Sequence, residues 1–118
     1  MGYKSNIGKV NMKKLYEIYS GKDLEIAERI LRRRNQMLVH SYIYYKLNDN
    51  IISDYQWSLW AVELRDLQRK YPEISKSVPW NKEFEDWDGS SGAFLPLDDE
   101  WVRSRAVYLI NMYRKSKK

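Results

Sequence analysis

Apolar residues recur at helical steps in four stretches of this chain. Met12, Leu15, Tyr16 and Tyr19 fall three or four residues apart, which predicts a short helix stopped by Gly21. Asp23 then caps a long helix running to about Leu47. Its apolar positions are Leu24, Ala27, Ile30, Leu31, Leu38, Ile43 and Leu47, with slack in the rhythm near Gln36. Trp57, Trp60, Ala61, Leu64, Leu67 and Tyr71 put one apolar stripe on a third helix, which Pro72 closes. Trp101, Val102, Ala106, Leu109, Ile110 and Tyr113 give the last helix, over 98–115. Residues 1–11 lack periodicity and are expected to be irregular, and Ser75 to Val78 reads as a connector. Across 79–97 the aromatics Trp80, Phe84, Trp87 and Phe94 have no clean period, so an aromatic and acidic loop, or a short hairpin, is expected there. The fold class is mainly α: one small domain over 1–118 with about four helices.

The helix ends carry their own signals. Ser53 is a good N-cap, because its hydroxyl can accept a bond from an unpaired first-turn N–H, and Gln56 completes a capping-box pattern. Asp54, and later Asp98, Asp99 and Glu100, place acid where the helix dipole favours it. Lys70 and Arg114-Lys115 place base at the opposite poles. Asn48-Asp49-Asn50 is a turn signal, since Asn and Asp bond their own main chain and tolerate unusual backbone angles.

The hairpin over 23–74 also carries a resemblance. Tyr44-Tyr45, a short Asn/Asp turn, Ile52-Ser53-Asp54, an aromatic at Trp57, then Leu64, Leu67 and Tyr71-Pro72-Glu73-Ile74 resemble the N-terminal, NMN-binding (Ia-type) helical subdomain of bacterial NAD-dependent DNA ligases. The resemblance covers about a third of the chain and keeps the spacing from the paired aromatics to Ser-Asp. It implies a site for the nicotinamide mononucleotide half of NAD, so that an NMN- or NAD-type ligand is expected. Tyr44 and Tyr45 would enclose the ring and Asp54 would make a polar contact. Two positions depart from the family pattern: its tyrosine is Trp57 and its second aspartate is Ser58. Trp57 can still stack on a planar ring. Ser58 brings no negative charge, so a cationic nicotinamide is less well served than a neutral or anionic nucleotide.

The resemblance also implies what is missing. Ligases adenylate a lysine in a Lys-x-Asp-Gly motif on a following domain. The x-Asp-Gly of this chain is Asp86-Trp87-Asp88-Gly89, with aspartate at the lysine position, so no ligation by this chain alone is expected. A stand-alone copy of such a subdomain suits cargo of a phage or mobile element. Sequestering a nucleotide signal or cofactor in the host cytoplasm is one role open to it.

Composition changes the picture only in part. The 118 residues, 43% of them hydrophobic, allow one modest core. No cysteine is present, which excludes a disulfide framework and a thiolate nucleophile. No apolar run reaches the length of a membrane span, so no membrane partner is expected. The net charge of +5 is uneven. Bases gather in the first fourteen residues, in Arg29, Arg32, Arg33 and Arg34, and in the tail Arg114-Lys115-Ser116-Lys117-Lys118, whereas Glu83 to Glu100 holds seven acids and no base. A solvated helix face with a basic tail accounts for this. So do anion binding, nucleic acid held through the basic tail, and head-to-tail homo-oligomers.

His40 is the only histidine. A lone helical histidine is most often a polar boundary residue, and zinc wants several such ligands, so no metal is expected. One turn before Tyr44, it can also reach a phosphate or a nucleobase, and it is assigned to the ligand site with Arg34 from the arginine cluster. Asp86 to Gly92 is a polar, glycine-rich segment, either a packing loop laid over the hairpin or a lid closing on a ligand. Ten tyrosines and five tryptophans leave a third class open, a protein-interaction module working through its aromatics.

Overall fold

A computed structural model describes residues 7–117, with side chains from Lys13 onward. Among the described residues the chain is all helix and loop: α1 (Ile7–Ile18), α2 (Gly21–Lys46), α3 (Asp54–Lys70), α4 (Pro72–Ser77), α5 (Asn81–Phe84) and α6 (Glu100–Ser116). The short hairpin considered for 79–97 is absent from these residues, and that stretch holds α5 and an ordered loop instead.

α2 is the axis of the fold. Its 26 residues span about 39 Å at 1.5 Å each, close to the longest dimension of the molecule, 41 Å. α1, α3, α4 and α6 all pack on it. Its first half buries Ile26, Ala27, Ile30 and Leu31 in the main core, shared with Leu15, Ala61, Leu64, Val78, Phe84, Leu95 and Val102. Beyond Gln36 it buries three consecutive residues, Met37, Leu38 and Val39. Two partners explain that run: Leu38 faces the main core, while Val39 and Ile43 face Ala106 and Ile110 of α6. The slack in the apolar rhythm near Gln36 is the handover between these two faces.

Caps set the ends. Ser53 Oγ accepts the Gln56 N–H at 3.0 Å and opens α3. Asp99 Oδ1 accepts the N–H groups of Trp101 at 2.8 Å and Val102 at 3.2 Å and opens α6. Between α2 and α3, Asn48 takes a left-handed φ of 53°, and the N–H groups of Leu47 and Asp49 bond back to the carbonyls of Tyr42 and Ile43.

Several boundaries differ from the sequence expectation. α1 starts at Ile7, so residues 7–11 are helical rather than irregular, while 1–6 lie outside the described residues. α2 is capped at Ser20, which puts Asp23 inside the first turn, and Gly21 opens α2 rather than ending α1. Pro72 ends α3 but also starts α4, where its missing N–H leaves no bond unmade. The expected connector at 75–78 is therefore largely α4, and among the described residues six helices replace the expected four.

Candidate ligand-binding cleft

The α2–α3 bend and the loop before α6 enclose a cleft of about 290 Å³. It is lined from three directions. The end of α2 supplies His40, Ser41, Tyr44 and Tyr45. The start of α3, with the turn before it, supplies Asn50, Ile52, Ser53, Asp54, Trp57 and Ser58. The loop supplies Ser90, Ser91 and Gly92.

Local rules place each of these groups. Tyr44 and Tyr45 sit on the last turn of α2, past the point where either neighbour covers it, and remain 54% and 46% exposed. Their rings meet edge to face at 4.9 Å. Asp54 and Ser58 lie one turn apart on α3, so both reach the same side. Trp57 leans on Trp87 at 6.2 Å in a T-shaped pair, and Trp87 leans in the same way on Phe84 at 5.2 Å. This ladder ties the loop to the core.

The loop wall is pinned rather than draped. Trp87 Nε1 donates to the Ser91 carbonyl at 2.7 Å, Ser91 Oγ accepts from Ala93 N–H at 3.1 Å, and it lies 3.3 Å from the Tyr45 hydroxyl across the cleft mouth. Gly89 takes φ 84° and lies against the Ala61 carbonyl, where a Cβ would come within 3.3 Å of the oxygen. Gly92 lies on Ser41 so closely that a Cβ there would meet Ser41 Oγ at 1.9 Å. Only glycine lets the loop reach α2 at this point. The loop therefore packs over the hairpin and forms one wall of the opening.

The electrostatics are simple. Asp54 makes no hydrogen bond or ion pair with a described residue. Burial beside Trp60, whose ring lies 5.6 Å away, pushes the His40 imidazole down to about 4, so it is neutral at physiological pH. Ser41 is 1% exposed, and its hydroxyl has no hydrogen-bond partner among the described residues. Asp88, outside the lining, is held below the usual carboxylate range by hydrogen bonds from the Ser90 hydroxyl and N–H.

Of the seven expected site residues, the structure brings His40, Tyr44, Tyr45, Asp54, Trp57 and Ser58 to one cleft. Arg34 is elsewhere, and this corrects its assignment. Its guanidinium is fully buried between α3 and α4. It donates to Gln68 Oε1 (2.8 Å), to the carbonyls of Val78 (2.9 Å), Pro79 (3.0 Å) and Ser75 (3.3 Å), and to Ser75 Oγ (2.6 Å). Burial lowers it to about 10, against the opposing pull of Glu83, so it stays charged. Arg34 satisfies main-chain carbonyls where α4 ends. Two other arginines of the cluster are committed too. Arg29 and Arg33 both bind Glu63, at 2.6 and 2.7 Å. Burial opposes the Glu63 charge, but these two hydrogen bonds outweigh it and hold the carboxyl low. Arg33 also lies over Trp60 at 5.5 Å.

Sequence reasoning missed Ser41, Asn50, Ser90 and Ser91 as lining groups. The pairing of Gly89 and Gly92 around the serines was the available signal for the loop. Ser41 inside a helix gave none. Among the described residues, no group of three or more His, Asp or Glu is placed to hold a metal ion, and no helix is long and apolar enough to cross a membrane.

Comparison with known proteins gives short matches of one kind. The DNA ligase of Pseudothermotoga lettingae is 42% identical over 50 residues, covering 42% of this chain and 7% of the ligase. That of Christiangramia forsetii is 38% identical over 51 residues, covering 43% and 8%. That of Thermoanaerobacter sp. (strain X514) is 43% identical over 51 residues, with the same coverage. The chain thus spans less than a tenth of the length of these relatives, and the matches support a domain derived from a DNA ligase. No family model and no solved structure matches.

Proposed function

We propose that this protein is a binding module, without turnover, for a nucleotide or an NAD-derived small molecule held in the cleft at Tyr44, Tyr45, Asp54 and Trp57. One observation carries the reading. Two exposed tyrosine rings and a tryptophan line an opening of about 290 Å³ that also holds a carboxylate unpaired among the described residues. An open aromatic wall with a few convergent polar groups is the usual form of a small-molecule site. The ligase-like pattern over Tyr44 to Ile74 supports a pyridine nucleotide, and Asp86 in place of the adenylating lysine supports binding without transfer. Sequestration of such a molecule, as a phage-borne module would perform it, fits this reading.

A second reading has its own support. On the outer side of α6, Arg105 lies over Tyr108 at 5.8 Å and Lys117 over Tyr113 at 5.3 Å. Exposed tyrosines beside bases suit stacking on single-stranded nucleic acid.

Calorimetry separates the two. NMN, NAD, ADP-ribose and cyclic nucleotides are titrated first, then single-stranded and duplex DNA at two salt concentrations. Uptake of a small nucleotide that Tyr44→Ala abolishes without unfolding supports the cleft. Binding to DNA alone, with a steep salt slope, replaces the cleft reading with the α6 one. Silence in both arms removes both and leaves a protein-interaction module.

A further inference from the structure

We infer that the cleft reads the nucleoside end of its ligand, a planar ring with a free ribose, and gains nothing from a phosphate. The inference rests on the small-molecule reading above and adds the chemical class of the occupant.

The first argument is charge. The N-terminus of a helix ordinarily attracts an anion through its free N–H groups. At the start of α3 that attraction is opposed. Ser53 Oγ takes the Gln56 N–H, and Asp54 brings its own negative charge to the positive pole. An incoming phosphate meets a carboxylate there. No lysine or arginine is among the residues that line the cleft, and several bases of the surrounding elements are engaged by other groups. Arg29 and Arg33 bind Glu63, Lys46 binds Asp98, Arg114 binds Asp49, and Arg34 is buried against the carbonyls of 75–79. The imidazole of His40 is neutral.

The second argument is the donor set. The lining includes the hydroxyl-bearing Ser58, Ser90 and Tyr44 together with Asp54. A carboxylate flanked by hydroxyls matches a vicinal diol, because both ribose hydroxyls can donate to it in short charge-assisted bonds.

The third argument is size. A volume of about 290 Å³ lies at the low end of small-molecule sites. It suits a ring and one sugar, with the rest of a dinucleotide left outside.

The test compares matched pairs by calorimetry at low salt: adenosine against AMP, and nicotinamide riboside against NMN. Two pairs separate the effect of the phosphate from that of the ring charge. The nucleoside is expected to bind at least as tightly as its phosphate. The advantage is about four- to tenfold if the phosphate lies ~7 Å from Asp54 at an effective dielectric near 60. Asp54→Asn, an exposed change whose fold is checked by circular dichroism, is expected to weaken the nucleoside and bring the ratio towards one. The 2′-deoxy nucleoside is expected to lose about fivefold or more. A phosphate that binds more than threefold tighter than its nucleoside in either pair overturns the inference and leaves the cleft reading standing. Failure of all four compounds to bind folded protein overturns both.

Discussion

Ser41→Ala is predicted to make the free protein more stable. The hydroxyl is 1% exposed and unpartnered, in the interior of α2. An unpaired buried hydroxyl costs about 1–3 kcal/mol, and alanine adds a few tenths through its better helix propensity. Against this, Gly92 loses a close neighbour, and the small gap costs under about 1 kcal/mol. The net expectation is a gain of about 1–2 kcal/mol. For a domain of this size that raises Tm by about 4–8 °C. Urea and thermal melts of ligand-free protein measure it. A loss of more than about 1 kcal/mol in the free protein would refute the reasoning, because it would mean that the hydroxyl is already paired without ligand.

Three further outcomes are expected. Arg34→Met removes the donors to the carbonyls of Ser75, Val78 and Pro79 in a buried site and should cost at least about 3 kcal/mol in urea melts, whereas a loss under 1 kcal/mol would contradict the anchoring role. His40 is the only histidine, so its imidazole resonance is unambiguous by NMR and should titrate near 4 rather than 6.5. The unfolded chain then binds a proton that the folded chain refuses, so stability is unaffected above pH about 6.5 and falls by about 2–3 kcal/mol as pH drops from there to about 4. Asp99→Ala unpairs the N–H groups of Trp101 and Val102 and should cost about 1–2 kcal/mol, measurable as a lower urea midpoint.

The long helices were legible because each pairs an apolar stripe with a cap: Ser53 before Trp57, and Asp99 before Trp101. The start of α1 was not, since Gly8 dilutes the helical signal around Ile7 and Val10. α4 and α5 have six and four residues, too few to show a period. Three of the four bases from Arg29 to Arg34 are consecutive, and nothing local says which turns inward. That choice is made by carbonyls at Ser75, Val78 and Pro79, more than forty residues away.

In the cleft, Tyr44, Tyr45, Asp54 and Trp57 were accessible through the ligase resemblance, and one bend brings their two adjacent turns together. For the loop Asp86 to Gly92 the sequence left a packing loop and a lid open and did not place Ser90, Ser91 and Gly92 as a wall. Its place depends on tertiary pins: Gly89 on the Ala61 carbonyl, Trp87 on Ser91, and Gly92 on Ser41.

The claim that the α2–α3 bend holds a ring-bearing ligand is tested most directly by amide chemical-shift mapping during titration with nicotinamide riboside and adenosine. The account predicts saturable shifts confined to Tyr44, Tyr45, 50–58 and 90–92, with the α6 amides unmoved. Shifts centred on α6, or a spectrum unchanged at millimolar ligand, would contradict it.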